Sequence, residues 1–207
     1  MSWLDGPIDA INGAVRRVPN WVFYVLGALP FVWLVWMVTT GGLGPDPVKA
    51  IERRAGLWGL QFLIAALAVT PLRRLGFNLV KLRRVMGLLA FCYILLHFTT
   101  WIVLDMALDA GQIVEAVWKR PYILIGLAAF LAMIPLAVTS TNRWIKRLGP
   151  KAWQRLHQLT YAVGMAGAVH YLLLVKVISA QPVIYACIVI GLLATRLIPK
   201  ARRVQTA

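Results

Sequence analysis

Six long runs of apolar residues, separated by short polar and turn-forming stretches, make up most of the chain. They cover residues 21–39, 56–72, 85–104, 121–139, 153–177 and 182–198. A helix of roughly 20 residues crosses about 30 Å of hydrocarbon, which is the length of most of these runs. None alternates with the two-residue period of a strand, and a barrel strand needs only about 9–11 residues. The second and sixth runs are short, so little tilt or a local mismatch is expected there. The pattern predicts an all-α polytopic membrane protein, a single domain over residues 1–207 folded as a six-transmembrane-helix bundle.

Punctuation between the runs refines this picture. Residues before Arg17 read as a short polar entry. The first run is too long for the core of a signal peptide, and Thr39-Thr40-Gly41-Gly42 offers no small-residue cleavage site, so it is expected to stay as the first helix. Pro30 should kink that helix, and Pro135 lies near the inner end of the fourth. The loop GGLGPDPVKA is turn-rich, but no strand precedes it and its glycine spacing is wrong for a phosphate loop. The acidic segment from Asp105 to Arg120 is mildly amphipathic and suits the membrane surface.

Composition agrees: 60% of residues are hydrophobic and 14% charged, which excludes an ordinary soluble domain. The formal net charge of +15 would suit nucleic acid were it not for its distribution. With six spans the termini share a side, and sixteen of the 22 Lys and Arg gather there, among them Arg16, Arg17, Arg73, Arg74, Arg83 and Arg84. The other six are Lys49, Arg53, Arg54, Lys119, Arg120 and Lys176. The bias puts both termini in the cytoplasm, with the basic face also meeting anionic lipid. Trp21, Trp58, Trp118, Trp144 and Trp153 lie near run ends, where interfacial aromatics belong. Cys92 and Cys187 fall inside runs, in neither a C-x-x-C nor a C-x-x-C-H pattern, and are expected as small packing residues. Any haem must then be held non-covalently.

The candidate chemistry lies in the three histidines, all within apolar runs: His97, His157 and His170. An imidazole in hydrocarbon is costly and reads by default as ligand, relay or ion site. His97 lies thirteen residues beyond inner Arg84, roughly 20 Å of helical rise. His170 lies fifteen residues beyond inner Arg155, roughly 22 Å. Both therefore sit at one depth in the outer half of the bilayer. Polar glue between helices remains one reading. Matched depth without a membrane-embedded acid favours the other, two axial ligands on one haem iron. A proton-coupled transporter would need such acids and inverted repeats, and neither is visible. His157 sits near the inner interface, two residues above Arg155. On an ideal helix it points roughly 220° away from His170, unless the Gly164–Gly167 region distorts the helix. It stands as an additional haem or flavin site, without an obvious mate.

At these residues the chain resembles the ferric-reductase-like transmembrane family, which includes the NADPH oxidases. It is most similar to the branch of haem-binding membrane subunits that serve bacterial periplasmic methionine sulfoxide reductases. The resemblance rests on LPFVWLVW, GGLGPDPVK, LLHFTTW, KRPYI, PLAVTSTNRWIKRLG, WQRLHQLTYA and HYLLLVKVISAQPVIYA, which together span nearly the whole chain. It implies b-type haem on His97 and His170, His157 as a further family histidine that leaves a second haem open, and a bound FMN. It also implies an inner-membrane electron-transfer subunit rather than an enzyme. Electrons would come from quinol or a soluble flavin reductase and go to a periplasmic molybdopterin-containing catalytic subunit. A ferric reductase, or a haem subunit for another periplasmic oxidoreductase, is the alternative. Larger family members have four histidines and a C-terminal nucleotide-binding domain; this chain has three and no G-x-G-x-x-G unit.

Overall fold

The computed structural model describes residues 5–175 and 179–198. Among the described residues the chain is helical, without strands: α1 (Asp5–Arg17), α2 (Asn20–Thr39), α3 (Pro47–Arg74), α4 (Val80–Thr99), a π-helical turn (Thr100–Asp105), α5 (Ala110–Lys119), α6 (Pro121–Val138), α7 (Asn142–Leu148), α8 (Pro150–His157), α9 (Leu159–Leu174) and α10 (Ala180–Ala194). Four stretches are long and apolar enough to cross a membrane: α2, α3, α4 with its π turn, and α6. The runs at 153–177 and 182–198 yield shorter helices. The first of them is broken at Gln158 into α8 and α9, and Lys176 lies outside the described residues.

The centre is a four-helix core. Leu63 of α3, Ala90 of α4, Met133 of α6 and Val163 of α9 form one buried cluster, a single residue from each helix. Short side chains let the helices close in. A Cβ on Gly164 would lie 3.0 Å from Leu67 of α3. Gly164 and Gly167 therefore bring α9 onto α3 rather than distorting it. α10 seals the other flank through Ala186 and Val189 against Ala168. α2 packs mainly on α4 and turns Val25, Leu29, Val32 and Trp36 outward, as a lipid-facing helix should.

Several expectations need correction. α3 begins at Pro47, not Gly56, because Asp46 caps its first turn through the Lys49 N–H at 3.0 Å and Pro47 opens it. The charged turn at Lys49–Arg54 hid this start from a hydrophobicity count. Trp58 consequently lies within a helix rather than near its start, edge-on to Trp33 and Tyr93. The entry segment is also a helix, α1. Ile8, Ile11 and Val15 recur at i, i+3 and i+7, the signal that went unread. Asn12 pins α1 to the α3–α4 turn through the Gly76 carbonyl (3.0 Å) and the Asn78 N–H (2.7 Å). Lys81 donates to the carbonyls of Val15, Arg16 and Val18 at its end. Cys92 and Cys187 are exposed on the bundle surface, so they do not fill its core. The acidic segment expected at the membrane surface forms a helix, α5. Its cap, Asp109, has its carboxyl held below the ordinary range by hydrogen bonds from Gln112.

Pro30 disrupts the hydrogen-bond ladder of α2, and α4 repairs it. The Tyr93 hydroxyl donates to the Gly27 carbonyl (2.7 Å) and accepts from the Phe31 N–H (3.1 Å), inserting itself where that rung would close. Tyr93→Phe leaves both backbone groups unpaired at a buried site. It should lower unfolding stability in detergent by about 1–3 kcal/mol, read from thermal unfolding, with cofactor spectra unchanged.

Candidate functional site

Two of the candidate side chains, His97 and His170, sit on the same four core helices. His97 projects from α4 toward α3, and its Nδ1 lies 2.9 Å from the Glu52 carbonyl. His170 projects from α9 toward α6, with Nδ1 2.6 Å from the Tyr122 carbonyl. A carbonyl only accepts, so in both rings Nδ1 carries the proton and donates. Nε2 is left as the uncommitted lone-pair nitrogen, the tautomer that metal-binding histidines use.

Each ring also lies over a glycine. A Cβ on Gly56 would stand 3.0 Å from His97 Nδ1, and one on Gly126 would stand 2.7 Å from His170 Nδ1. Each glycine follows the accepting carbonyl by four residues, Glu52 to Gly56 and Tyr122 to Gly126, so the ring reaches that carbonyl across a missing side chain. α3 with α4 and α6 with α9 are thus two copies of one device, a glycine helix carrying a histidine helix. The sequence held the signal as two glycines in apolar runs at the depth of the histidines, and histidine depth alone passed over it.

The two rings meet in the core. Their centroids are 6.2 Å apart and their planes are inclined by 78°. Two imidazoles on opposite faces of one iron, with bonds of about 2 Å, have centroids roughly 6 Å apart. Spacing, tautomer and restricted rotation all fit an iron whose four remaining positions come from a porphyrin. Among the described residues there is no group of three or more His, Cys, Asp or Glu that would hold a bare metal ion. Outside the pair, Lys49 joins Asp105 (2.5 Å) and Glu52 (3.4 Å), tying the end of the π turn to the start of α3.

His157 is placed differently, and it does have partners. Its Nε2 is 3.1 Å from Thr139 Oγ1, and its ring stacks on Trp153 at 3.9 Å. The Thr139 hydroxyl spends its proton on the Pro135 carbonyl (2.6 Å), so His157 Nε2 must be the donor. Trp153 Nε1 donates to the Thr139 carbonyl (2.9 Å), and the group locks α8 to the end of α6. His157 and His170 both meet α6, at its two ends: His157 at Thr139, just past the last turn, and His170 at Tyr122 in the first. His157 also borders a cavity of about 280 Å³ at the Arg83–Arg84 end of the bundle, with Arg83, Arg84, Arg196 and Thr160 among its walls. Arg196 donates to the Leu67 carbonyl (2.7 Å), while its Nε is buried without a partner among the described residues. His157→Ala removes one hydrogen bond and one ring stack. It should cost about 1–3 kcal/mol in unfolding stability, and the spectrum of the His97–His170 pair should persist.

Two imidazoles on apolar helices, each held by a backbone carbonyl, define the candidate site. Residues 55–168 match the family described as ferric reductase like transmembrane component, and the chain belongs to that family. It is 48% identical over 178 residues, 86% of this chain and 80% of the relative, to the protein-methionine-sulfoxide reductase heme-binding subunit MsrQ of Brucella ovis. The proteins of the same name from Brucella canis and Brucella suis match to the same extent. No solved structure matches the chain.

Proposed function

We propose that the chain is the haem-binding, electron-transferring membrane subunit of a methionine sulfoxide reductase system, with His97 and His170 as the axial ligands of a b-type haem. The observation that carries this reading is the imidazole pair, 6.2 Å between centroids with each Nδ1 tied to a backbone carbonyl. The name of the relatives supplies the system. When bound, the haem provides a one-electron couple inside the hydrocarbon.

The chain's own residues do the rest. The Glu52 and Tyr122 carbonyls fix the tautomer and ring orientation and raise the basicity of Nε2. Gly56 and Gly126 set how closely each ring seats. Apolar packing from Phe98 and Phe130, stacked at 4.7 Å, helps exclude water and so influences the potential. Six spans, cytoplasmic termini and a bacterial inner-membrane location complete the reading, with α8–α9 and α10 as the fifth and sixth spans.

Electrons enter from quinol or a soluble flavin reductase and leave to a periplasmic molybdopterin-containing catalytic subunit, so sulfoxide reduction itself belongs to that partner chain. It would restore methionine from its oxidised form, a polar lesion in apolar packing. FMN, expected from the family, fits the inner cavity best: Arg83, Arg84 and Arg196 provide cations for a phosphate, beside the Trp153–His157 stack.

Purified protein should give a reduced-minus-oxidised spectrum with the α-band of a six-coordinate b-type haem. Planes inclined by 78° should also give the strongly anisotropic low-spin EPR signal of crossed imidazoles. A preparation with no α-band after haem-replete expression would end this reading.

A further inference from the structure

One polar pair sits where the bundle meets hydrocarbon. Gln61 is exposed on α3, five residues inward of Gly56 or about 7–8 Å deeper, in the middle of an apolar span. Its Nε2 donates to the Tyr185 hydroxyl of α10 at 2.7 Å. Tyr185 in turn lies 6.2 Å from the ring of Tyr171 on α9, inclined at 51°. The Tyr185 O–H proton, Gln61 Oε1 and the second Gln61 N–H make no hydrogen bond among the described residues. Exposed groups of this kind have no water to satisfy them in the bilayer core, so they cost stability unless a partner arrives.

We propose that Gln61, Tyr185 and Tyr171 form a lateral binding site for the headgroup of a lipid-borne quinol. The ligand must come through the hydrocarbon, because the pair faces outward from the bundle. It must carry both an acceptor and a donor: the Tyr185 O–H meets a ring oxygen, and Gln61 Oε1 accepts from a ring hydroxyl. It must also be flat and aromatic to lie against Tyr171. A quinone/quinol ring has all three properties; a phosphorylated flavin is too polar for that route. Tyr171 directly follows His170 in α9, so the site adjoins the imidazole pair through one helix. With haem bound, each quinol oxidised at the site would become quinone, release two protons and supply two electrons, one to each of two successive ferric haem turnovers.

This inference rests on the quinol-donor reading above, and the test separates the two. Purified haem-loaded protein in nanodiscs is mixed with a short-chain ubiquinol or menaquinol analogue, and haem reduction is followed by stopped flow. Gln61→Leu and Tyr185→Phe should each raise the quinol concentration for half-maximal rate about tenfold. Reduction by dithionite and the visible spectrum should stay as in the parent. Tyr185→Phe removes one oxygen and keeps the packing, so it serves if Gln61→Leu fails to fold. Quinol kinetics unchanged in the variants, with only stability lowered, would make the pair interhelical glue and overturn the site alone. A parent protein that quinol does not reduce, but a flavin reductase with NADH does, would overturn both the donor and the site.

Discussion

Alanine in place of His97 or His170 is expected to abolish the low-spin haem spectrum, leaving either no haem or a five-coordinate high-spin form. Each imidazole would supply one of two protein ligands to the iron, and the cavity left by truncation offers no substitute. Cys92, the nearest sulfur donor to His97 on α4, is exposed on the bundle surface. Haem content per protein, by pyridine haemochrome assay, should fall at least several-fold in each variant. Quinol-driven and flavin-driven reduction of a periplasmic acceptor should be lost together. Full retention of the low-spin bands in either variant would refute the ligand pair. His157→Ala is the internal control, since its Nε2 is committed to Thr139.

Gly126→Ala should come second in effect, although it alters no ligand. The added methyl would lie 2.7 Å from His170 Nδ1 and 2.8 Å from Cε1, closer than real Cβ contacts allow. The ring cannot yield cheaply, because turning away breaks its bond to the Tyr122 carbonyl and would move Nε2 from where it could meet a haem iron. A misplacement near 0.5 Å already degrades a ligand site built to this tolerance. The expected result is a mixed or high-spin spectrum, weakened haem retention and a shifted midpoint potential. Gly56→Ala approaches His97 at 3.0 Å and should give the same changes in milder form. Equal, negligible effects of both substitutions would mean that the glycines serve helix packing alone.

Much of the site was legible in the chain because depth in a helix is a linear function of residue number. Counting from Arg84 and Arg155 put His97 and His170 at one height, and the structure brings them together. The count could not say which nitrogen each ring would offer, because that depends on a carbonyl belonging to another helix. Rotation was harder still. An ideal helix carries His157 away from His170, so the sequence offers it no mate; in the structure it meets Thr139 at the far end of α6. The start of α3 is hidden for a related reason: capping by Asp46 and Pro47 extends it through a charged turn that hydropathy treats as loop.

The sequence by itself determined that this is a helical membrane protein, which residues are too costly to bury idly, and how deep they lie. Those properties follow from composition and from a fixed rise per residue. Only the tertiary structure decided the pairing of each histidine with a glycine helix and the repair of the Pro30 kink by Tyr93. It alone placed Gln61 against Tyr185, a pair 124 positions apart in the chain. Such contacts depend on helix rotation and approach, which are set by many small side chains packing at once and leave no local trace at the residues that meet.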